Sequence, residues 1–101
     1  MAPTVAIRIE NDTGLDLDGV RVVLPGGDTL DYGAVAKAGV TEFQEATSAY
    51  RYAEVHAGAG DRDLSFRPVD YLGERPLPAG RYSYVLGLDG GQLVIRLKPA
   101  D

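Results

Sequence analysis

With 101 residues, 45% hydrophobic and 25% charged, the chain has the size and balance of one globular domain (residues 1–101) and not of a disordered segment. A net charge of −5 and a pI near 4.7 oppose nucleic acid and anionic lipid, and the ten Lys and Arg residues are scattered in sequence from Arg8 to Lys98. Cysteine is absent, which excludes disulfides, thiolate zinc sites and a cysteine nucleophile.

Along the chain, period-two alternation recurs and helical periodicity is rare. Val5, Ile7 and Ile9 alternate with Ala6, Arg8 and Glu10, which predicts a strand with one face toward a core. The next stretch, ENDTGLDLDG (residues 10–19), mixes turn residues with four carboxylates, Glu10, Asp12, Asp16 and Asp18. Hard cations take several oxygen ligands, but the calcium-loop pattern fails here. With Asp16, Asp18 and Gly19 on its third, fifth and sixth positions, Gly14 falls on the first and Pro25 on the twelfth. A solvated acidic loop is expected, with a weak calcium site at residues 10–19 as the alternative; no metal and no cofactor is assigned. NDT (11–13) matches a glycosylation acceptor, a tripeptide that arises often by chance.

Val20, Val22 and Leu24 predict a second strand, and PGG (25–27) and KAG (37–39) are turns. TSAYRYAEVHAG (47–58) reads as a helix capped by Thr47 or Ser48, or as a strand. Its tyrosines and β-rich surroundings favour the strand, with Arg51, Ala53, Val55 and Ala57 on one face and Tyr50, Tyr52, Glu54 and His56 on the other. GAGD (58–61) turns the chain before Leu64 and Phe66. In LPAGRY (77–82), Pro78 and Gly80 set a corner at which the Tyr82 ring packs on the core edge while its hydroxyl bonds a backbone group a few residues upstream. Tyr82, Tyr84, Leu86 and Leu88 then share one side of a strand, LDGGQL closes a hairpin, and Leu93, Ile95 and Leu97 share one side of the last strand. About seven strands at this spacing predict an all-β sandwich or barrel.

AYRYAEV (49–55) and RPVDYLGERPLPAGRYSYVL (67–86), with DYG (31–33) followed closely by AGVTEF (38–43), resemble a group of small, uncharacterised bacterial cell-envelope proteins, often lipoproteins. The resemblance runs from about Val5 to Leu97. It implies an immunoglobulin-like antiparallel sandwich of Greek-key type in an extracytoplasmic setting, the periplasm or cell surface, and carries no catalytic residues or substrate. The lipid-bearing cysteine of a lipoprotein is missing from this sequence. MAPTVAIRIE does not have the basic-then-apolar order of a signal peptide, and no apolar stretch approaches the roughly 20 residues of a membrane-spanning helix. The expectation is an extracytoplasmic protein without membrane insertion, with the mature part of a lipoprotein as one alternative.

Six tyrosines against two Phe and no Trp raise the question of a recognition surface. Tyrosine offers a large amphipathic contact at low entropic cost, and guanidinium forks accompany it at interfaces. Tyr50, Tyr52, Tyr71 and Tyr84, with Arg51 and Arg75 as polar contacts, are therefore the candidate binding residues. The expected role is a non-catalytic binding module whose partner is an extracytoplasmic protein or glycan. Two readings compete with it: a structural or self-associating domain, and a small hydrolase or lyase using Glu54 and His56. His56 is the sole histidine and no nucleophile motif accompanies it, which weighs against an enzyme.

Overall fold

A computed structural model describes residues 5–24, 28–46, 49–50, 53–67 and 76–100. Among them the chain forms eight strands and no helix, so none is long and apolar enough to cross a membrane. The strands are β1 (Val5–Asn11), β2 (Leu17–Val23), β3 (Thr29–Val35), β4 (Gln44–Ala46), β5 (Glu54–Ala59), β6 (Arg62–Phe66), β7 (Gly80–Asp89) and β8 (Gln92–Pro99). They make two four-stranded sheets, ordered β4-β1-β7-β8 and β3-β2-β5-β6. Every pairing is antiparallel except β1 with β7, which runs parallel from Val5 opposite Gly80 to Asn11 opposite Leu86.

The alternation explains the layering. In β1, Val5, Ile7 and Ile9 are buried while Ala6, Arg8 and Glu10 point outward. Tyr84 and Leu86 of β7 lie opposite Ile9 and Asn11, and Val20, Val22 and Val55 supply the facing layer from the second sheet. Ile7 and Ile9 are fully enclosed, so truncating either to alanine would cost about 2–5 kcal/mol. The LDGGQL turn closes the β7–β8 hairpin with Asp89 opposite Gln92, as its sequence predicts. In the 47–58 stretch the described strand is β5, with Ala53, Val55 and Ala57 buried and Glu54 and His56 on the opposite side, the faces that the strand reading predicts.

Two strands escaped the period-two reading. β2 and β3 pair through a shifted register around Val20 and Gly33, and Gly19 and Gly33 both take positive φ (58° and 67°). Such bulges insert an extra residue and reverse the parity of alternation. The buried residues of β3 are therefore Leu30 and Val35, five positions apart, and those of β2 are Leu17, Val20 and Val22. β4 has only three residues, too few to show a period.

Tyrosine hydroxyls tie the layers together. Tyr82 donates to the Pro78 carbonyl (2.9 Å), four residues upstream, as its position in LPAGRY predicts. Tyr32 donates to the Ile7 carbonyl and Tyr84 to the Tyr50 carbonyl, both at 2.6 Å. Burial, with the neighbouring Tyr84, pushes the Tyr32 phenol well above the ordinary tyrosine range.

Candidate functional site

The segment between β3 and β4 builds one edge of the first sheet. Thr41 N–H donates to the Ile9 carbonyl (2.9 Å), Ile9 N–H donates to the Thr41 hydroxyl (3.0 Å), and Val40 bridges Glu10. Farther along, Gln44 pairs with Ile7. Four residue steps on this edge, Val40 to Gln44, thus oppose three on β1, Glu10 to Ile7, so the edge carries one extra residue. The irregularity leaves Phe43 outside the core cluster and against outward-facing side chains. The guanidinium of Arg8 lies over its ring at 4.9 Å from the centroid, and that of Arg81 at 5.6 Å.

Asn11 anchors this edge. It is buried at the end of β1, where its Nδ2 donates to the carbonyls of Leu15 (2.7 Å), Val35 (3.0 Å) and Ala36 (3.1 Å). Its Oδ1 accepts from the N–H and hydroxyl of Thr13. The amide nitrogen is fully committed inside the fold, which sets aside the glycosylation reading of NDT. The following turn holds Ala38 at φ 61°, a left-handed conformation that L residues rarely adopt, and Gly39 N–H closes it onto the Ala36 carbonyl (2.8 Å).

The outer face of the first sheet follows from the register. Arg8 stands opposite Ser83, which stands opposite Lys98; Glu10 stands opposite Val85, which stands opposite Arg96. Arg81 lies one step along, opposite Ala6. Arg8 donates to the Ser83 hydroxyl (2.8 Å), which is completely buried although it points outward. Glu10 Oε2 has Lys98 Nζ at 3.6 Å and Arg8 at 3.8 Å but no hydrogen bond of its own. The Ser83 hydroxyl chiefly, with the charges of Lys98 and Arg8, holds the Glu10 carboxyl below the usual range against the opposing effect of burial. Residues that look scattered in sequence therefore form a cationic group: Arg8, Arg81, Arg96 and Lys98 share one face.

The second sheet presents a different outer surface. Asp31, Arg21, His56 and Ser65 line up across β3, β2, β5 and β6. His56 Nε2 meets the Glu54 carboxylate at 2.5 Å, and Arg67 lies 4.0 Å from the same oxygen. That contact with His56, then the charge of Arg67, holds the Glu54 carboxyl below its ordinary value. Arg21, His56, Asp63, Ser65 and Arg67 surround a shallow groove of about 390 Å³ over Gly19 and Gly58. Among the described residues no group of three or more His, Cys, Asp or Glu side chains is placed to hold a metal, so the carboxylates of residues 10–19 do not converge.

Of the candidate binding residues read from sequence, Tyr52, Tyr71, Arg51 and Arg75 lie outside the described residues. Tyr50 is half-buried and its carbonyl accepts the Tyr84 hydroxyl. Tyr84 has no exposed surface, because β7 is an inner strand of its sheet and the side chain points into the sandwich; its ring is core packing and offers nothing to a partner. Phe43, Arg8, Arg81, Arg96 and Lys98 went unnoticed in the sequence reading. The available signal was the outward phase of β1 and β8, at Arg8–Glu10 and Arg96–Lys98, but nothing in sequence pairs β1 with β7.

No protein-family model and no curated protein matches the chain. A solved NMR structure of a protein from Eubacterium rectale is similar, with a TM-score of 0.70 over 98% of this chain and 92% of that one, at 14% identity. At that identity the likeness shows the fold alone.

Proposed function

We propose that this chain is a non-catalytic binding module of the bacterial cell envelope, and that its partner is a protein or glycan outside the cytoplasm. The observation that carries the reading is the outer face of the first sheet, where Phe43 lies beneath Arg8 and Arg81 on a pleated surface held by β1, β7 and β8. Aromatic area and guanidinium forks on a rigid platform are what recognition hot spots are made of. The cellular setting rests on the resemblance of residues 49–55 and 67–86.

The finer fold reading is a Greek key. Gln44 Nε2 donates to the Asp31 carbonyl (2.7 Å), so β3 and β4 are neighbours across the seam between the sheets. Counted that way, β5-β2-β3-β4 runs in Greek-key order. The immunoglobulin likeness goes no further than two packed antiparallel-rich sheets. In the constant-type arrangement the first two strands share a sheet, whereas here β1 and β2 lie in different sheets.

Titrating the labelled protein with envelope protein and glycan fractions, read by amide NMR, tests the function. Shifts confined to β1, β7, β8 and residues 40–44 support a recognition face. A spectrum that no fraction perturbs supports a structural domain, and a mass that rises with concentration supports self-association. One contact favours a second reading, a small hydrolase: Glu54 bonds His56, and Ser65 is the cross-strand neighbour of His56. It requires turnover that disappears in a folded His56→Ala protein.

A further inference from the structure

The cationic face of the first sheet also carries apolar surface. Among the described residues the exposed large hydrophobic side chains are Val40 (53% exposed) and Val94 (37%). Val40 opposes the outward-pointing Glu10, and Val94 opposes Gly87, two residues along β7 from Val85. A hollow of about 280 Å³ lies beside Val40, with Val85, Glu10 and Arg96 among its lining residues. On a molecule of net charge −5, this face gathers four of the ten Lys and Arg residues. The carboxylates beside them are Glu45 at one margin, Asp12 and Asp89 at the other, and Glu10, which Lys98 and Arg8 already engage, so the four cations meet one another at the centre of the face.

We propose that this face binds an acidic polypeptide segment bearing apolar side chains, an inference that rests on the reading of the chain as a binding module. Charge complementarity sets the sign of the partner: on an otherwise acidic protein, clustered cations attract carboxylates and steer their approach. The valines set its class. Methyl surface offers no hydrogen-bond partner to the hydroxyls of a glycan, which would be desolvated there without compensation. Apolar side chains of a peptide gain by burial on the same surface, and apolar area interleaved with arginine and an aromatic ring is the make-up of a protein interface.

The test titrates the full chain, at low salt, with three probes: the random copolymer poly(Glu,Tyr), poly-glutamate and polygalacturonate. The copolymer is expected to bind about tenfold more tightly than either of the others, with amide shifts on β1, β7 and β8. Reversing two exposed charges together, Arg81→Glu and Lys98→Glu, should weaken it by about a hundredfold. Val40→Ser with Val94→Ser should bring the copolymer down to the level of poly-glutamate. These four side chains are exposed, and an unchanged thermal melt confirms that each variant still folds. Tighter binding of polygalacturonate overturns the polypeptide partner but leaves the binding module standing. Equal binding of copolymer and poly-glutamate overturns the role of the valines. A dimer lost on Val40→Ser assigns the face to a second copy of the chain, and silence toward every probe and every envelope fraction removes both readings.

Discussion

On the outer face of the second sheet opposite charges stand beside one another: Asp31 by Arg21, and Glu54 between His56 and Arg67. On the first sheet four cations gather around Glu10, while Glu45, Asp12 and Asp89, an aromatic ring and two exposed valines lie toward the margins. Both faces arise from the same period-two alternation, so the difference lies in which strands become neighbours. A surface that neutralises itself has little field to offer a partner, whereas one that concentrates a single sign attracts the opposite sign from a distance. The inner side chains show the reverse economy, with Tyr32, Tyr82 and Tyr84 all spending their hydroxyls on backbone carbonyls.

The comparison breaks most severely at Asn11. Asn11→Ala strands the carbonyls of Leu15, Val35 and Ala36 at a buried position and should lower stability by about 3 kcal/mol in urea unfolding. Hydrogen exchange should then rise first at residues 36–41, which carry the first face, while β5 and β6 keep their protection.

Glu10 comes next. Glu10→Gln removes the charge that gathers Arg8 and Lys98 and should cost about 1 kcal/mol at neutral pH. The native carboxyl titrates below its ordinary value of 4.5, so between the two values the folded chain binds fewer protons than the unfolded one. Its contribution to stability is present above that ordinary value and is lost as the pH falls through the depressed one. Urea midpoints measured from about pH 7 down to about pH 3 should therefore fall less steeply in the variant.

Ala38→Gly acts in the opposite direction. Glycine removes the left-handed penalty at φ 61° but adds freedom to the unfolded chain, for a net gain of about 0.5 kcal/mol in the urea midpoint. His56→Ala sharpens the contrast from the other side. His56 and Glu54 are both partly solvent-exposed, so the melting temperature should hold and poly(Glu,Tyr) affinity should not change. A drop in that affinity would mean that the second sheet contributes to binding.

How much of this was legible in the sequence depended on local periodicity. β1, β7, β8 and the β5–β6 hairpin could be read because their alternation is unbroken and their turns carry Gly and Asp. β3 could not, since a bulge at Gly33 moves its buried residues from Leu30 to Val35, out of phase for a period of two. Tyr84 looked like a recognition residue because tyrosine is amphipathic, and only the closure of the second sheet over the inward side of β7 leaves its ring fully enclosed as packing. Phe43 carried no signal, because its outward placement comes from one extra residue between two paired stretches.

The sequence by itself determined an all-β chain, the inward phase of most strands, both two-residue hairpins and the Tyr82 bond to the backbone upstream. Each of these is set by residues within about ten positions of one another, where alternation and turn chemistry act directly. The tertiary structure alone decided the parallel partnership of β1 with β7, which places Arg8 beside Ser83 across 75 positions. It likewise decided the three carbonyls around Asn11 and the gathering of Arg8, Arg81, Arg96 and Lys98 into one face. Strand neighbours are chosen by how two apolar faces close over a common core, and that is a property of the whole chain.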